Sequence, residues 1–278
     1  MKFFSIETGL FKLDGGAMFG VVPKSMWEKL NPPDENNMCT WASRCMLIEV
    51  GNRLVLIDTG LGDKQSEKFR SHFSPHGEDN LEKSLLEFGF KSDDITDVIL
   101  THLHFDHCGG AVKYDENKQL VLAFPNAIYW SSSEHWKWAS DPNPREKASF
   151  LKENILPIFE SGQLKFTDQE EIGIESIEVE YVYGHTEAMQ IVHIYNDGPT
   201  ITFVSDLIPS HHHVKLPFVM SYDVRPLSTM QEKSRILETA YENEHILFFQ
   251  HDPTIECCKL DRNERGIFVS ETFKLSEI

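Results

Sequence analysis

The chain has 278 residues, 40% of them hydrophobic, enough to bury a substantial core in one large domain or two modest ones. Its 26 Lys and Arg against 44 Asp and Glu give a formal charge of −18, a field that repels phosphate backbones and anionic bilayers and argues against nucleic acid and membrane partners. The cysteines, Cys39, Cys45, Cys108, Cys257 and Cys258, are odd in number and lack a C-x-x-C pair, which argues against a disulfide framework or a zinc ribbon and for a reducing cytoplasm.

The first residues reach Glu7 too soon for the apolar stretch of a signal peptide, and no run attains membrane-spanning length. The Gly-rich run Asp14–Lys24 has no Lys-Ser/Thr ending of a phosphate loop and reads as a close-packed loop. Residues 45–58 hold two apolar runs separated by Gly51-Asn52, the pattern of a hairpin. Leu81, Leu85 and Phe88 have helical spacing over 80–88, with Asn80 placed to cap the start and Gly89 the end. Asp97–Leu100 reads as a buried strand running straight into Thr101 and a His-rich segment.

Beyond it the pattern predicts a strand at 127–130, helices at 131–138 and 144–156, and strands at 177–183, 190–195 and 200–205. Ser228 with Gln231 forms a capping-box start for a helix through about residue 242, and His245–Gln250 is a last apolar strand ending at His251. Strands and helices alternate in both halves with no repeat or linker, so residues 1–278 read as one α/β domain.

The chemistry concentrates in His102-Leu103-His104-Phe105-Asp106-His107. In an extended segment alternate side chains share a face, so His102, His104 and Asp106 converge while Leu103 and Phe105 turn to the core, and His107 adds a fourth ligand. Imidazole with carboxylate suits zinc, and also manganese or iron. A surface histidine cluster is the alternative, disfavoured by the position between a buried strand and the Gly109-Gly110 turn.

This run resembles the H-x-H-x-D-H signature of the metallo-β-lactamase superfamily. The resemblance implies an αββα sandwich of two mixed sheets flanked by helices, with a site for two divalent metal ions at one sheet edge. It also implies the remaining ligands, each following a strand: His185 in Gly184-His185-Thr186, Asp206 in Ser205-Asp206, and His251. By the family's pattern His102, His104 and His185 hold one ion, Asp106, His107 and His251 the other, and Asp206 bridges them. Asp58, in Ile57-Asp58-Thr59-Gly60, matches the family's buried acid that orients the His-rich loop, with a turn cap as the alternative.

Two metals sharing a hydroxide make hydrolysis the expected reaction, with Asp106 as proton shuttle; a Ser-His-Asp triad is not indicated, since no G-x-S-x-G elbow occurs. The segments Asp14–Lys24, Leu56–Asp58, Thr101–His107, Phe124–Ala127 and Asp206–His211 resemble the YtnP-type quorum-quenching lactonases, with methyl parathion hydrolase a more distant relative. The implied activity is opening of the lactone ring of N-acyl-homoserine lactones by the metal-bridging hydroxide. A phosphotriester or other carboxylic ester is the alternative substrate, and a non-catalytic metal-binding member of the fold the alternative class. Under the lactone reading Met18 and Phe19 line a pocket for an apolar acyl chain, plain core packing being the alternative. The expected partner is therefore a small molecule, and a homodimer is compatible with the sequence.

The sequence departs from the lactonase pattern in two places. Pro209 stands three residues after Asp206, where another lactonase branch carries a tyrosine, which leaves His211 or His213 as the catalytic donor to the developing oxyanion, or His211–His213 as an exposed polar loop. Glu187-Ala188-Met189 stands where related sequences carry a glycine followed by a small or polar residue, and that alters the expected pocket shape.

Overall fold

The computed structural model describes residues 1–278. In chain order the elements are β1 (Lys2–Asp14), α1 (Gly15–Phe19), α2 (Lys24–Trp27), β2 (Met38–Val50), β3 (Arg53–Ile57), α3 (Glu67–Ser71), α4 (Leu81–Glu87), β4 (Asp97–Ile99), α5 (Phe105–Cys108), β5 (Val112–Tyr114), β6 (Leu120–Leu122) and β7 (Ile128–Ser131). They continue as α6 (Ser133–Ser140), α7 (Lys152–Glu160), β8 (Leu164–Phe166), β9 (Ile177–Val182), β10 (Met189–Ile194), β11 (Ile201–Phe203), α8 (Pro226–Glu242), β12 (Ile246–Phe248), β13 (Cys257–Asn263) and β14 (Gly266–Phe273).

Two six-stranded sheets carry the fold, ordered β1-β2-β3-β4-β7-β8 and β14-β13-β12-β11-β10-β9. Both are mixed. In the first, β3-β4, β4-β7 and β7-β8 run parallel while β2-β3 is an antiparallel hairpin. In the second, β11-β12 is the parallel pair and its neighbours are antiparallel. This is the mixed-sheet α/β architecture expected of a metallo-β-lactamase fold.

The chain forms two compact units: residues 1–9, 43–71 and 76–174, and residues 10–42, 72–75 and 175–278. The first unit is built on Leu47, Leu56, Val98, Leu100 and Ile155, all at most 1% exposed. β4 is buried along its length and lies between two parallel neighbours, which is why Val98 and Ile99 are apolar on both faces, while the buried Asp97 is paired with Arg53. The second unit is built on Val182, Ile191, Val204, Ile208, Ile236 and Phe249. No helix is long and apolar enough to cross a membrane.

The β2-β3 hairpin turns at Gly51-Asn52, with Gly51 at φ 58° as a tight two-residue turn requires. Asn80 caps α4 by accepting from the Lys83 amide, as its spacing predicts. Four local expectations change. The Asp14–Lys24 loop contains two short helices, the first capped by Asp14 through the Ala17 amide at 2.8 Å. Residues 144–149 form turns, since the Asn143 side chain captures the amides of Arg145 and Glu146, and α7 starts only at Lys152. α8 begins two residues before Ser228, with Pro226 in its first turn, where a missing N–H costs nothing. The His-rich segment is extended only through His104, and Phe105–Cys108 closes into a helical turn.

Candidate metal centre

In the first unit the segment leaving β4 carries His102, His104, Asp106 and His107, all buried. Two glycines make its course possible. A Cβ on Gly109 would strike the Leu61 carbonyl and one on Gly110 the Thr59 carbonyl, so only hydrogen at these positions lets the loop lie against 59–61. The contact is laced by Thr59 N to His107 O at 2.8 Å and Gly110 N to Gly60 O at 3.1 Å. The buried Lys64 ammonium caps the Gly109 carbonyl.

Asp58 is fully buried at φ 58° and hydrogen-bonds across to the His-rich segment. It accepts from the Thr101 amide and hydroxyl, both at 2.8 Å, and its Oδ2 lies 3.0 Å from His107 Nδ1. A β-branched-free acid in the left-handed region at this point is strain stored beside the site. The alternation read from the sequence holds for His102 and His104, whose Nε2 and Nδ1 approach to 3.0 Å. It fails for Asp106 and His107, which the turn of α5 brings round instead, with His107 Nε2 3.8 Å from Asp106 Oδ2.

In the second unit the three remaining positions each follow a strand: His185 after β9, Asp206 after β11 and His251 after β12. Asp206 stands between the two histidines. Its Oδ2 is 3.2 Å from His185 Nε2 and its Oδ1 is 3.0 Å from His251 Nε2. Ser205, at φ 44°, makes the sharp turn that aims it there.

The donor set fits a metal, because the outer hydrogen bonds dictate which ring nitrogens carry protons. Asp58 receives His107 Nδ1, Asp223 receives His185 Nδ1 at 2.8 Å, and the Ala42 carbonyl receives His251 Nδ1 at 2.8 Å. The Thr101 hydroxyl gives its hydrogen to Asp58 and so accepts from His102 Nδ1 at 3.2 Å, while His104 Nε2 faces Glu146 Oε1 at 3.5 Å. In each neutral ring the other nitrogen is then a lone pair. At His185 and His251 those lone pairs point at the two oxygens of Asp206. Acceptors face acceptors at about hydrogen-bond distance, an arrangement that a cation resolves. In the first unit His102, His104, Asp106 and His107, and in the second His185, Asp206 and His251, are side chains suited to hold a metal ion.

The histidine run 211–213 splits into separate fates. His213 is fully buried, with Nδ1 2.7 Å from Ser210 Oγ and Nε2 2.9 Å from the Met18 carbonyl, its ring stacked on Phe19 at 5.1 Å. Burial pushes it down to about 3, so it stays neutral with both nitrogens engaged and has no donor left for a substrate. Met18 and Phe19 are likewise 1% and 0% exposed, Phe19 stacking on Trp27 at 5.5 Å. The expected acyl-chain lining is corrected to core packing, because these aromatics fill one another's faces. His211 is different: its side chain is 25% exposed, and Nδ1 and the backbone amide both bind Asp252 Oδ2. Asp252, fully buried, also accepts from the Thr254 and Ile255 amides, and despite its burial these bonds and His211 hold it down to about 2.

Sequence reasoning missed Asp223, Glu146, His135 and Asp252. His135 Nε2 accepts the Leu103 amide at 2.8 Å, fixing the backbone between two ligands. None of the four belongs to a motif, although Asp252 adjoins His251. At the Glu187-Ala188-Met189 departure, Ala188 adopts φ 47°, the conformation a glycine takes freely, and Met189 is buried core. Cys108 is buried and its thiol is pushed up to about 12, which rules it out as a nucleophile.

The sequence profile of the metallo-beta-lactamase superfamily matches residues 40–251, a stretch that takes in parts of both units. The chain is 23% identical over 236 residues to an N-acyl homoserine lactonase of Bacillus cereus, covering 80% of this chain and 85% of that one. Among solved structures, a probable metal-dependent hydrolase from Staphylococcus aureus is similar at 27% identity and a TM-score of 0.87, covering 98% of each chain. The dizinc quorum-quenching lactonase AidC, in complex with a product, shares the fold at 21% identity and a TM-score of 0.79, over 98% of this chain and 95% of that one.

Proposed function

The chain belongs to the metallo-beta-lactamase superfamily of hydrolases, and from that membership we propose that it is a dinuclear metal-dependent enzyme that opens the lactone ring of N-acyl-homoserine lactones. The observation that carries the proposal is Asp206, whose two oxygens each face an imidazole Nε2, of His185 on one side and His251 on the other, while the Nδ1 of each ring is engaged elsewhere. A carboxylate so placed is suited to bridge two cations. By the family's pattern His102, His104 and His185 would hold one ion, and Asp106, His107 and His251 the other. Zinc is the proposed metal, supported by the donor set and by the dizinc relative of the same fold. One domain over residues 1–278, a cytoplasmic setting and a role in quenching signal lactones complete the reading, the setting supported by five free cysteines.

When bound, such ions supply Lewis acidity toward the lactone carbonyl and a water activated near neutral pH. Asp106 would carry the proton, taking it from the attacking water and returning it to the ring oxygen as the acyl C–O bond breaks and the hydroxy acid forms. The buried imidazoles and Asp58 hold the ligands in place and exclude bulk water. With Nδ1 committed to Asp252, His211 has Nε2 as the nitrogen to offer a developing oxyanion.

A panel of acyl-homoserine lactones, phosphotriesters, aryl esters and β-lactams tests the substrate class. Turnover is expected to be fastest on lactones with apolar acyl tails; a clear preference for phosphotriesters would replace the lactonase reading with the alternative one.

A further inference from the structure

We propose that Asp223 is the positioning residue that makes His185 a metal ligand. The inference rests on the reading of His185 as a ligand. Nothing in the sequence marks Asp223, which stands 38 positions away from that histidine. In the second unit the pair is nearly inaccessible, with side chains 2% and 1% exposed and Nδ1 2.8 Å from Oδ1.

Everything around this pair is built to hold it. The backbone of 224–225 runs beside 184–185, with Val224 N to His185 O at 3.1 Å and Arg225 N to Gly184 O at 2.8 Å. Glu232, on α8, accepts the amides of Tyr183 at 2.7 Å and Gly184 at 2.9 Å, and the Arg225 guanidinium donates to the Tyr183 carbonyl at 2.7 Å. Gly184 lies so close to Thr229 of α8 that any Cβ would collide with it. The main chain before His185 is therefore fixed, which leaves the orientation of its ring and the tautomer to be set by the side chain's own partners.

Asp223 decides that tautomer. Carboxylates lie at both nitrogens, Asp223 at 2.8 Å and Asp206 at 3.2 Å, and a neutral imidazole has one N–H to give. The shorter bond takes it, so Nε2 presents its lone pair on the Asp206 side. Without Asp223 the ring is free to place its proton on Nε2 and donate it to Asp206, which closes the nitrogen to a metal. A metal-ligating histidine needs its outer nitrogen held by such an acceptor to fix the orientation of the ring.

The test is metal retention by the full chain rather than turnover. Wild type, Asp223→Ala and Asp223→Asn are loaded with zinc, dialysed against graded chelator and analysed for zinc per chain, and the metal-free forms are melted. Wild type is expected to hold about two ions, and Asp223→Ala to release one of them at a free-zinc level about 10–100-fold higher while keeping the other. Asp223→Asn, whose amide oxygen still accepts from Nδ1, is expected to fall between, which keeps the question open to measurement if the alanine variant does not fold. A purely structural residue would shift the melting of the metal-free chain and leave the release curve in place, and that result overturns the proposal for Asp223 alone. A wild-type chain that binds no zinc overturns the reading of His185 beneath it as well.

Discussion

His213 shows how burial converts a titratable residue into a structural one. Both ring nitrogens are satisfied inside the second unit, and its protonation is displaced from 6.5 down to about 3. Between those values the unfolded chain binds a proton that the folded chain refuses, so stability falls as pH drops from about 6.5 toward 3, by roughly 1.4 kcal/mol per pH unit for this one site. Thermal melts of wild type and His213→Gln from pH 8 to 4.5 check this: the variant is expected to melt lower at pH 8 but to lose less on acidification. Equal slopes would show that His213 does not govern the acid limb. Asp206 represents the opposite case, a residue buried for what it faces. Asp206→Ala or His104→Ala is expected to reduce hydrolysis to background with the fold kept, by circular dichroism and kinetics; near wild-type turnover in either would refute the ligand assignment.

The elements that position the site are short, and their ends decide more than their interiors. α5 is a single turn, and without it Asp106 and His107 would follow the strand alternation that His102 and His104 obey. Ala188 closes the turn between β9 and β10 at φ 47°, where a residue with a Cβ is strained by about 1 kcal/mol. Ala188→Gly is thus expected to be neutral to stabilising by up to about 1 kcal/mol by denaturant titration, against the usual direction for a loop glycine. A loss of stability would mean that the Ala188 side chain contributes packing beyond its strain. α8 acts through neighbouring residues, Glu232 capping the amides ahead of His185 and Lys233 donating to the carbonyls of His213, Lys215 and Phe218 at 2.7–3.1 Å.

For the molecule as a whole, the charge of −18 is a standing self-repulsion in the folded state. Added monovalent salt is expected to raise the melting temperature of the metal-loaded chain; an unchanged or falling value would show the charges to be locally compensated. Bound metal acts in the same direction, because an ion that binds only the folded chain stabilises it by about 2.7 kcal/mol at a hundredfold excess over its dissociation constant. Chelation is therefore expected to lower the melting temperature, and re-addition of zinc to restore it, whereas a chelator-insensitive melt would speak against a metal centre coupled to folding.

Much of this was legible locally. The β2-β3 hairpin, the Asn80 cap, the buried strand β4 and the clustered donors of 102–107 follow from periodicity, turn chemistry and the residue types that bind cations, all within reach of a few neighbours in the chain. The sequence on its own thus determined the fold class and the residue types gathered at 102–107. It did not determine that Met18, Phe19 and His213 form one packed cluster, that the 211–213 run divides between the core and Asp252, or that Asp223, Glu146 and His135 stand behind the histidines. Those pairings join residues as far as 195 positions apart. The tertiary structure alone decided them, because a lone histidine or aspartate has the same local signature whether its partner is a metal, a carboxylate or a backbone carbonyl, and only burial in the folded chain selects among them.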